Sequence, residues 1–439
     1  MDLQRTVACR MLILAFAVAC ADQETTAPEN PTRFALNEDF PEDVGPYAVG
    51  HTTLQVVHTD RLGARRPTDV HIWYPVHPAQ RIFGSVTEYR SRLVGVPLIP
   101  GTYDAASFAI PARLGIDDAP IDDRGPRFPL LIWSHGSTSD ALDHAYTGEA
   151  IASHGFVVAA IQHTGNHQDD VLSDFVNQAA GRLVIPCLDG LSTPCADPVL
   201  GLTVIDRARD VSAVISELER VNAGRFGDRI DVERVGMLGY SRGVLSAMAA
   251  VAGHSGLGIL PEPRVDAIMT MSAGRLAFPP SDMSRVRVPV LMTAGSADLN
   301  IPVAEVRGFF DLLVNSPRSF VIINGVRHNS FRTSLCARVQ SAAAVRQANS
   351  RAIIEDRTVS SFLVTTMGSS LDYCAYDTYV NPVDIRPIVK TMTGVDVTET
   401  NVPRLLDADE LSRLLVRLAV SFFDAALEGN AADGVRFNR

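Results

Sequence analysis

Ser241 lies in Gly239-Tyr240-Ser241-Arg242-Gly243, a G-x-S-x-G pattern between the apolar run ending at Leu238 and the small-residue stretch Val244 to Ala252. A serine on a tight strand-to-helix turn is presented as a nucleophile. Glycines two positions to either side leave room for the neighbouring strand and helix. Serine attacks poorly unless a base takes its proton, so the pattern calls for a histidine. Eleven histidines are present. In the fold built around this elbow, chain order runs serine, acid, histidine. Only His254 and His328 follow Ser241. His254 comes directly after the elbow helix and leaves no room for the acid's strand. His328 lies in Asn324-Gly325-Val326-Arg327-His328-Asn329, just past a β-type run, and is the base of choice. The acid should end a strand between the two. Asp298 does so, in the loop after Val288 to Thr293, and is well placed to orient an imidazole. Asp282, in a proline-rich loop, and Asp311, inside a helical stretch, fit less well. Two backbone N–H groups must receive the oxyanion. One is that of Arg242, directly after the nucleophile. The other is assigned to Ser137 in Trp133-Ser134-His135-Gly136-Ser137-Thr138, with His135 and Gly136 shaping the turn. This chemistry is acyl transfer through an acyl-serine, and it requires no metal or organic cofactor.

Composition removes other chemistries. Of 39 basic residues, one is lysine, Lys390, and 38 are arginines. A Gly-Lys-Ser/Thr phosphate loop and a Ser-x-x-Lys pair are therefore absent, and Lys390 is the sole Schiff-base candidate. The net charge of −11 speaks against general nucleic-acid binding. His163, His167, Asp169 and Asp170 cluster in Gln162 to Asp170, but without a metal-ligand spacing. They read as a polar loop near the pocket. No C-x-x-C spacing occurs, so no zinc site is expected.

These residues need a scaffold. Thr52 to His58 and Val70 to Val76 read as an opening hairpin. Pro129 to Trp133, Phe156 to Ile161, Val235 to Gly239, Ala267 to Met271, Val288 to Thr293 and Ser319 to Ile323 are near-continuous apolar runs. Such runs mark strands buried on both faces. Val204, Ala208, Val211, Val214, Ile215 and Leu218 share one helical face. Leu411, Leu414, Leu415, Leu418 and Phe422 form a final amphipathic helix, with Gly429 as its stop. The expected class is α/β, with a mostly parallel sheet of about eight strands and helices on both faces. Arg81 to Arg127, Gly165 to Leu200 and Asn329 to Leu405 break the alternation and are expected to wall the pocket.

Residues 1–20 pair Arg5 and Arg10 with an apolar run from Met11 to Ala19, as in a secretory signal. Ala17-Val18-Ala19 suits simple cleavage. The same stretch followed by Cys20 also resembles a lipoprotein box, which would lipidate Cys20 and tether the protein to a membrane. Residues 21–46 are polar and acidic and suit a flexible tether, leaving 47–439 as one catalytic domain. An exported chain with Cys187, Cys195, Cys336 and Cys374 is expected to form two disulfides, the simplest pairing being Cys187–Cys195 and Cys336–Cys374.

The stretch Trp133 to His163, WSHGSTSDALDHAYTGEAIASHGFVVAAIQH, resembles the platelet-activating-factor acetylhydrolase and dienelactone-hydrolase-like branch of the α/β-hydrolases. The likeness rests on the SHG turn, the ASHGFVVAA strand and the histidine ending it. It implies an α/β-hydrolase fold, with Ser241 as nucleophile and His328, in GVRHNSF, as catalytic histidine. In the animal acetylhydrolases the acid follows the sixth strand, where this chain has Met271-Ser272-Ala273. Asp298, in AGSADLNIP, instead resembles the acid of cutinase-like polyester hydrolases. The expected activity is that of an exported serine esterase acting on a small, lipid or polymer ester. An amidase of the same fold and a non-catalytic surface binding protein remain alternatives.

Overall fold

The apolar runs pair into one sheet. The computed structural model describes residues 44–83, 86–92, 107–136, 139–165, 196–272, 278–298, 301–334, 406 and 408–427. Its strands are β1 (Ala48–Thr59), β2 (Arg65–Val76), β3 (Val86–Arg92), β4 (Ser107–Asp117), β5 (Phe128–Ser134), β6 (Val157–Gln162), β7 (Ile230–Tyr240), β8 (Val265–Met271), β9 (Val290–Gly295) and β10 (Arg318–Ile323). They lie in the order β10-β9-β8-β7-β5-β6-β2-β1-β4-β3. All neighbours from β10 to β6 are parallel. The β1–β2 hairpin joins β6 antiparallel through β2.

Every residue of β5 and β9 is buried, as expected of strands covered on both faces. Among the described residues five longer helices provide the cover: α1 (Ala145–Ser153), α2 (Ala196–Arg225), α3 (Arg242–Ala252), α4 (Val303–Asp311) and α5 (Ala408–Leu427). One core cluster takes Val204, Val211, Val214, Ile215 and Leu218 from α2, Val244 and Met248 from α3, and Val306 and Phe309 from α4. The other takes Ile151 from α1 and Leu411, Leu415, Ala419 and Phe423 from α5. Each large side chain so buried contributes roughly 1.5–3 kcal/mol over leaving it in water. Among the described residues no helix is long and apolar enough to cross a membrane.

Among the described residues the sheet has ten strands where the sequence suggested about eight. The extra pair, β3 and β4, comes from Arg81 to Arg127, which reads as irregular because β4 contains Pro111 and Gly115. Pro111 faces Glu88 at a register shift and lies outside the short β4–β1 ladder, which spans only Gly115 to Asp117. The missing N–H therefore falls where the sheet does not use it. Helix α2 also runs further in both directions than its apolar stripe indicated. The signal, most of the tether, all six cysteines, Gly429 and Lys390 lie outside the described residues.

Candidate active site

Strand β7 runs directly into Ser241, and α3 leads away from it. Ser241 has φ 52° and ψ −116°, a conformation that costs a non-glycine residue roughly 1–3 kcal/mol. Its N–H donates to the Met271 carbonyl at 2.9 Å, and its carbonyl accepts from the Val244 N–H at 3.0 Å. The flanking glycines are required by close approach. A Cβ on Gly239 would stand 2.6 Å from the Gly243 oxygen, and one on Gly243 only 1.9 Å from the Ser134 oxygen. The strand, turn and helix thus interlock without side chains at 239 and 243, and the strained serine is the product.

His328 opens one turn of 3-10 helix, His328–Phe331, in the loop beyond β10. Its Nε2 is 2.9 Å from Ser241 Oγ, and its Nδ1 is 2.8 Å from Asp298 Oδ2. A carboxylate oxygen only accepts, so Nδ1 carries the proton and Nε2 is left to accept from the serine. Asp298 follows β9 and is buried. Its Oδ1 accepts from the Ile301 N–H at 2.9 Å, and its Oδ2 also accepts from the Ser272 hydroxyl. The Tyr240 ring lies 5.3 Å from the imidazole. The histidine loop is fastened from behind by Arg332, whose Nε and Nη2 reach Asp143 Oδ2 at 2.8 and 2.7 Å. The Ser334 N–H donates to the Asp143 carbonyl at 2.8 Å.

A second Ser–His–Asp chain stands behind the first. Ser134 Oγ lies 2.8 Å from His163 Nε2, and His163 Nδ1 lies 2.7 Å from Asp210 Oδ2. All three are fully buried, whereas Ser241 is partly exposed. Geometry alone would not tell the two chains apart; access does. Burial lowers His163 to about 3, aided by the Arg207 charge and only partly offset by Asp210, so the ring is neutral. Burial also opposes the Asp210 charge, but bonds from Arg66, His163 and His58 outweigh it and hold this carboxyl well below its ordinary range. Arg66 supplies a two-pronged contact of 2.6 and 2.7 Å.

The structure therefore brings Ser241, Asp298 and His328 together and leaves the competitors elsewhere. Asp282 accepts from the Ser255 N–H and hydroxyl and pairs with Arg285. Asp311 is exposed and faces Arg307 at 3.7 Å. His254 packs on Phe278. His135 accepts from the His163 N–H at 3.2 Å through Nε2, so its Nδ1–H donates to the Gly136 carbonyl at 2.7 Å. Arg242 is the first residue of α3. Ser137, His167, Asp169 and Asp170 lie outside the described residues. Among those described, no group of three or more His, Cys, Asp or Glu is arranged to hold a metal ion.

Sequence reasoning missed Ser272, the Asp143–Arg332 pair and the Arg207–Asp210–His163 cluster. One signal was available. Arg207 stands three residues after Val204 and four before Val211, inside the apolar stripe of α2, where a charge needs an internal partner.

A serine elbow at the end of a central parallel strand, with acid and histidine on later loops, defines an α/β-hydrolase. The structure is similar to ferulic acid esterase from Streptomyces cinnamoneus, with a TM-score of 0.50 and 19% identity, covering 88% of this chain and 91% of that one. The chain belongs to the platelet-activating factor acetylhydrolase, isoform II, family, whose sequence pattern matches residues 33–258. That span includes Ser241 and stops short of Asp298 and His328. The chain is 23% identical to the platelet-activating factor acetylhydrolase of Canis lupus familiaris over 245 residues, 48% of this chain and 52% of that one. To that of Cavia porcellus it is 30% identical over 136 residues, 28% of each chain. To that of Bos taurus it is 22% identical over 317 residues, 66% of this chain and 68% of that one. The chain thus spans about half the length of the first of these relatives and less than a third of the second.

Proposed function

We propose that this protein is a serine hydrolase of carboxylic esters. The observation that carries the reading is the continuous Ser241–His328–Asp298 chain, with its serine strained and accessible at the end of β7. Ser241 Oγ attacks the ester carbonyl as His328 Nε2 takes its proton, while Asp298 holds Nδ1–H and stabilises the imidazolium. The developing oxyanion is received by the Arg242 N–H at the positive end of α3 and by the N–H of Ser137, the latter assigned from sequence. His328 returns the proton to the leaving alcohol. Water, deprotonated by the same histidine, then frees the acid from the acyl-serine. Family membership supports an ester substrate, and the relatives' name, acetylhydrolase, supports a short acyl group. Export, with cleavage after Ala19 or lipidation at Cys20, is read from residues 1–20.

The test is Ser241→Ala. The variant is expected to lose p-nitrophenyl acetate turnover and fluorophosphonate labelling while melting like the parent. Labelling that persists would refute the assignment. A series of p-nitrophenyl esters from acetate to palmitate, with a polyester film beside it, ranks the substrate classes. Mass analysis of the mature N-terminus distinguishes cleavage from lipidation.

A further inference from the structure

Arg207 is a fully buried arginine in the middle of α2, and its guanidinium grips the backbone of a neighbouring turn. Nη1 donates to the His135 carbonyl at 2.7 Å and to Ser134 Oγ at 3.3 Å, and Nη2 donates to the Gly136 carbonyl at 3.2 Å. These acceptors form one short turn, the exit from β5. That turn abuts the nucleophile: a Cβ on Gly136 would lie 3.2 Å from Ser241 Cβ and 2.8 Å from the Tyr240 ring.

Burying a guanidinium is expensive, and an apolar side chain of similar volume often packs as well or better. Packing alone therefore does not account for Arg207. Its surroundings are organised for it. Asp210, one turn further along α2, is fixed by Arg66 and His58 and holds His163, which bonds the same Ser134 hydroxyl. In a trans peptide the C=O and N–H point in opposite directions. Carbonyls drawn toward Arg207 therefore turn the amide edge of the turn away from α2.

We propose that Arg207 is a positioning residue for the reaction, holding the Ser134–Gly136 turn so that its amide edge faces the negative charge that develops beside Ser241. His163 and Asp210 complete the brace. The inference rests on the ester-hydrolase reading of Ser241. Arg207 touches no reacting atom and acts through the backbone it grips.

The test compares Arg207→Met and Arg207→Lys with the parent and with Ser241→Ala in full-length protein, after thermal melts establish folding. An oxyanion contact acts in the transition state and not on bound substrate, so kcat should fall and KM should hold. Arg207→Met is expected to lose about a hundredfold in kcat, the scale of one oxyanion donor, with KM within threefold of the parent. Affinity for a trifluoromethyl ketone, which mimics the tetrahedral adduct, should fall in parallel. The pH at which kcat/KM rises to half its maximum should not move, because the His328 relay is untouched. Arg207→Lys, which retains the charge but not the fork, should recover part of the loss. Should the methionine variant fail to fold, the lysine variant carries the test, with a kcat deficit of about tenfold at unchanged KM. A folded variant with parental kcat and ketone affinity overturns the inference and leaves the Ser241 reading standing. A matched change in kcat and KM overturns it as well. Turnover that survives Ser241→Ala overturns both.

Discussion

Replacing Asp298 by asparagine puts the proposed relay under a test whose size follows from its contacts. Both oxygens of Asp298 accept: Oδ2 from His328 Nδ1–H and Ser272, Oδ1 from the Ile301 N–H at 2.9 Å. An asparagine offers one oxygen and one NH2. With the NH2 toward His328, Nδ1 must become an acceptor. The proton then moves to Nε2, which can no longer take the proton of Ser241. With the NH2 toward Ile301, two buried donors face each other, at a cost of about 1–3 kcal/mol. Neither orientation restores the carboxylate that stabilises the imidazolium. Wrong tautomer and lost charge together are expected to lower kcat by about 10³ to 10⁴, or roughly 4–5.5 kcal/mol of barrier. The assay is the rate of p-nitrophenol release at saturating ester, normalised to folded protein. Asp282→Asn is the matched control, because Asp282 bonds Ser255 and Arg285 away from the relay, and its kcat should stay close to that of the parent. An Asp298→Asn protein keeping more than about a tenth of parental kcat would refute the reasoning, since a tenfold loss is only about 1.4 kcal/mol.

Gly243→Ala should destabilise the protein by about 2–3 kcal/mol or more and abolish turnover, because its Cβ meets the Ser134 oxygen at 1.9 Å and outweighs the roughly 1 kcal/mol that alanine adds to a helix. Gly224→Ala, with open space around the new methyl, should instead raise the melting temperature slightly; the two shifts sharing a sign would contradict this account. Glu149 should make stability fall as pH rises. Burial pushes its carboxyl up to about 7, against bonds from Tyr89, Leu114 and Arg113, so between about 4.5 and 7 the folded state holds a proton that the unfolded state has lost. Its contribution is complete below about 4.5 and disappears through about 7, amounting to about 3 kcal/mol. Melts of parent and Glu149→Gln across that window should diverge accordingly. The comparison also cancels the opposite acid-side effect of buried His51, His144 and His163, which burial lowers to about 3, about 4 and about 3. Parallel curves would count against a buried ionisation at Glu149.

The sheet was legible because strands buried on both faces must be apolar throughout, and β5 to β9 read that way. Strands β3 and β4 were not legible, because Pro111 and Gly115 break the usual signals and only the register shows that Pro111 lies outside the β4–β1 ladder. The elbow could be read because the serine and both glycines fall within five residues, even though the demand on Gly243 comes from the distant Ser134 carbonyl. The brace behind it joins residues 66, 134, 163, 207 and 210, and no short-range pattern links them. A buried charge on an apolar helix face was the trace that remained.

The acid is where resemblance and geometry part, and the sheet explains how both positions can serve. Strands β8 and β9 are parallel neighbours, with Met271 paired to Thr293, so their carboxyl ends emerge side by side. The resemblance points to Met271-Ser272-Ala273 at the first end, and the structure places Asp298 beyond the second. Ser272 adopts φ 54°, its N–H donates to the Thr293 carbonyl at 2.9 Å, and its hydroxyl bonds the same Asp298 oxygen that faces His328. A side chain at 272 thus already points at the place where a carboxylate is needed. Small polar residues such as aspartate tolerate that backbone conformation better than most. Moving the acid from one strand end to the other therefore requires no change of fold, only an exchange of roles between two residues that already share a hydrogen bond. Ser272→Asp in the Asp298→Asn background should then recover part of the lost turnover, and a double variant no more active than Asp298→Asn would show that the two positions are not interchangeable here.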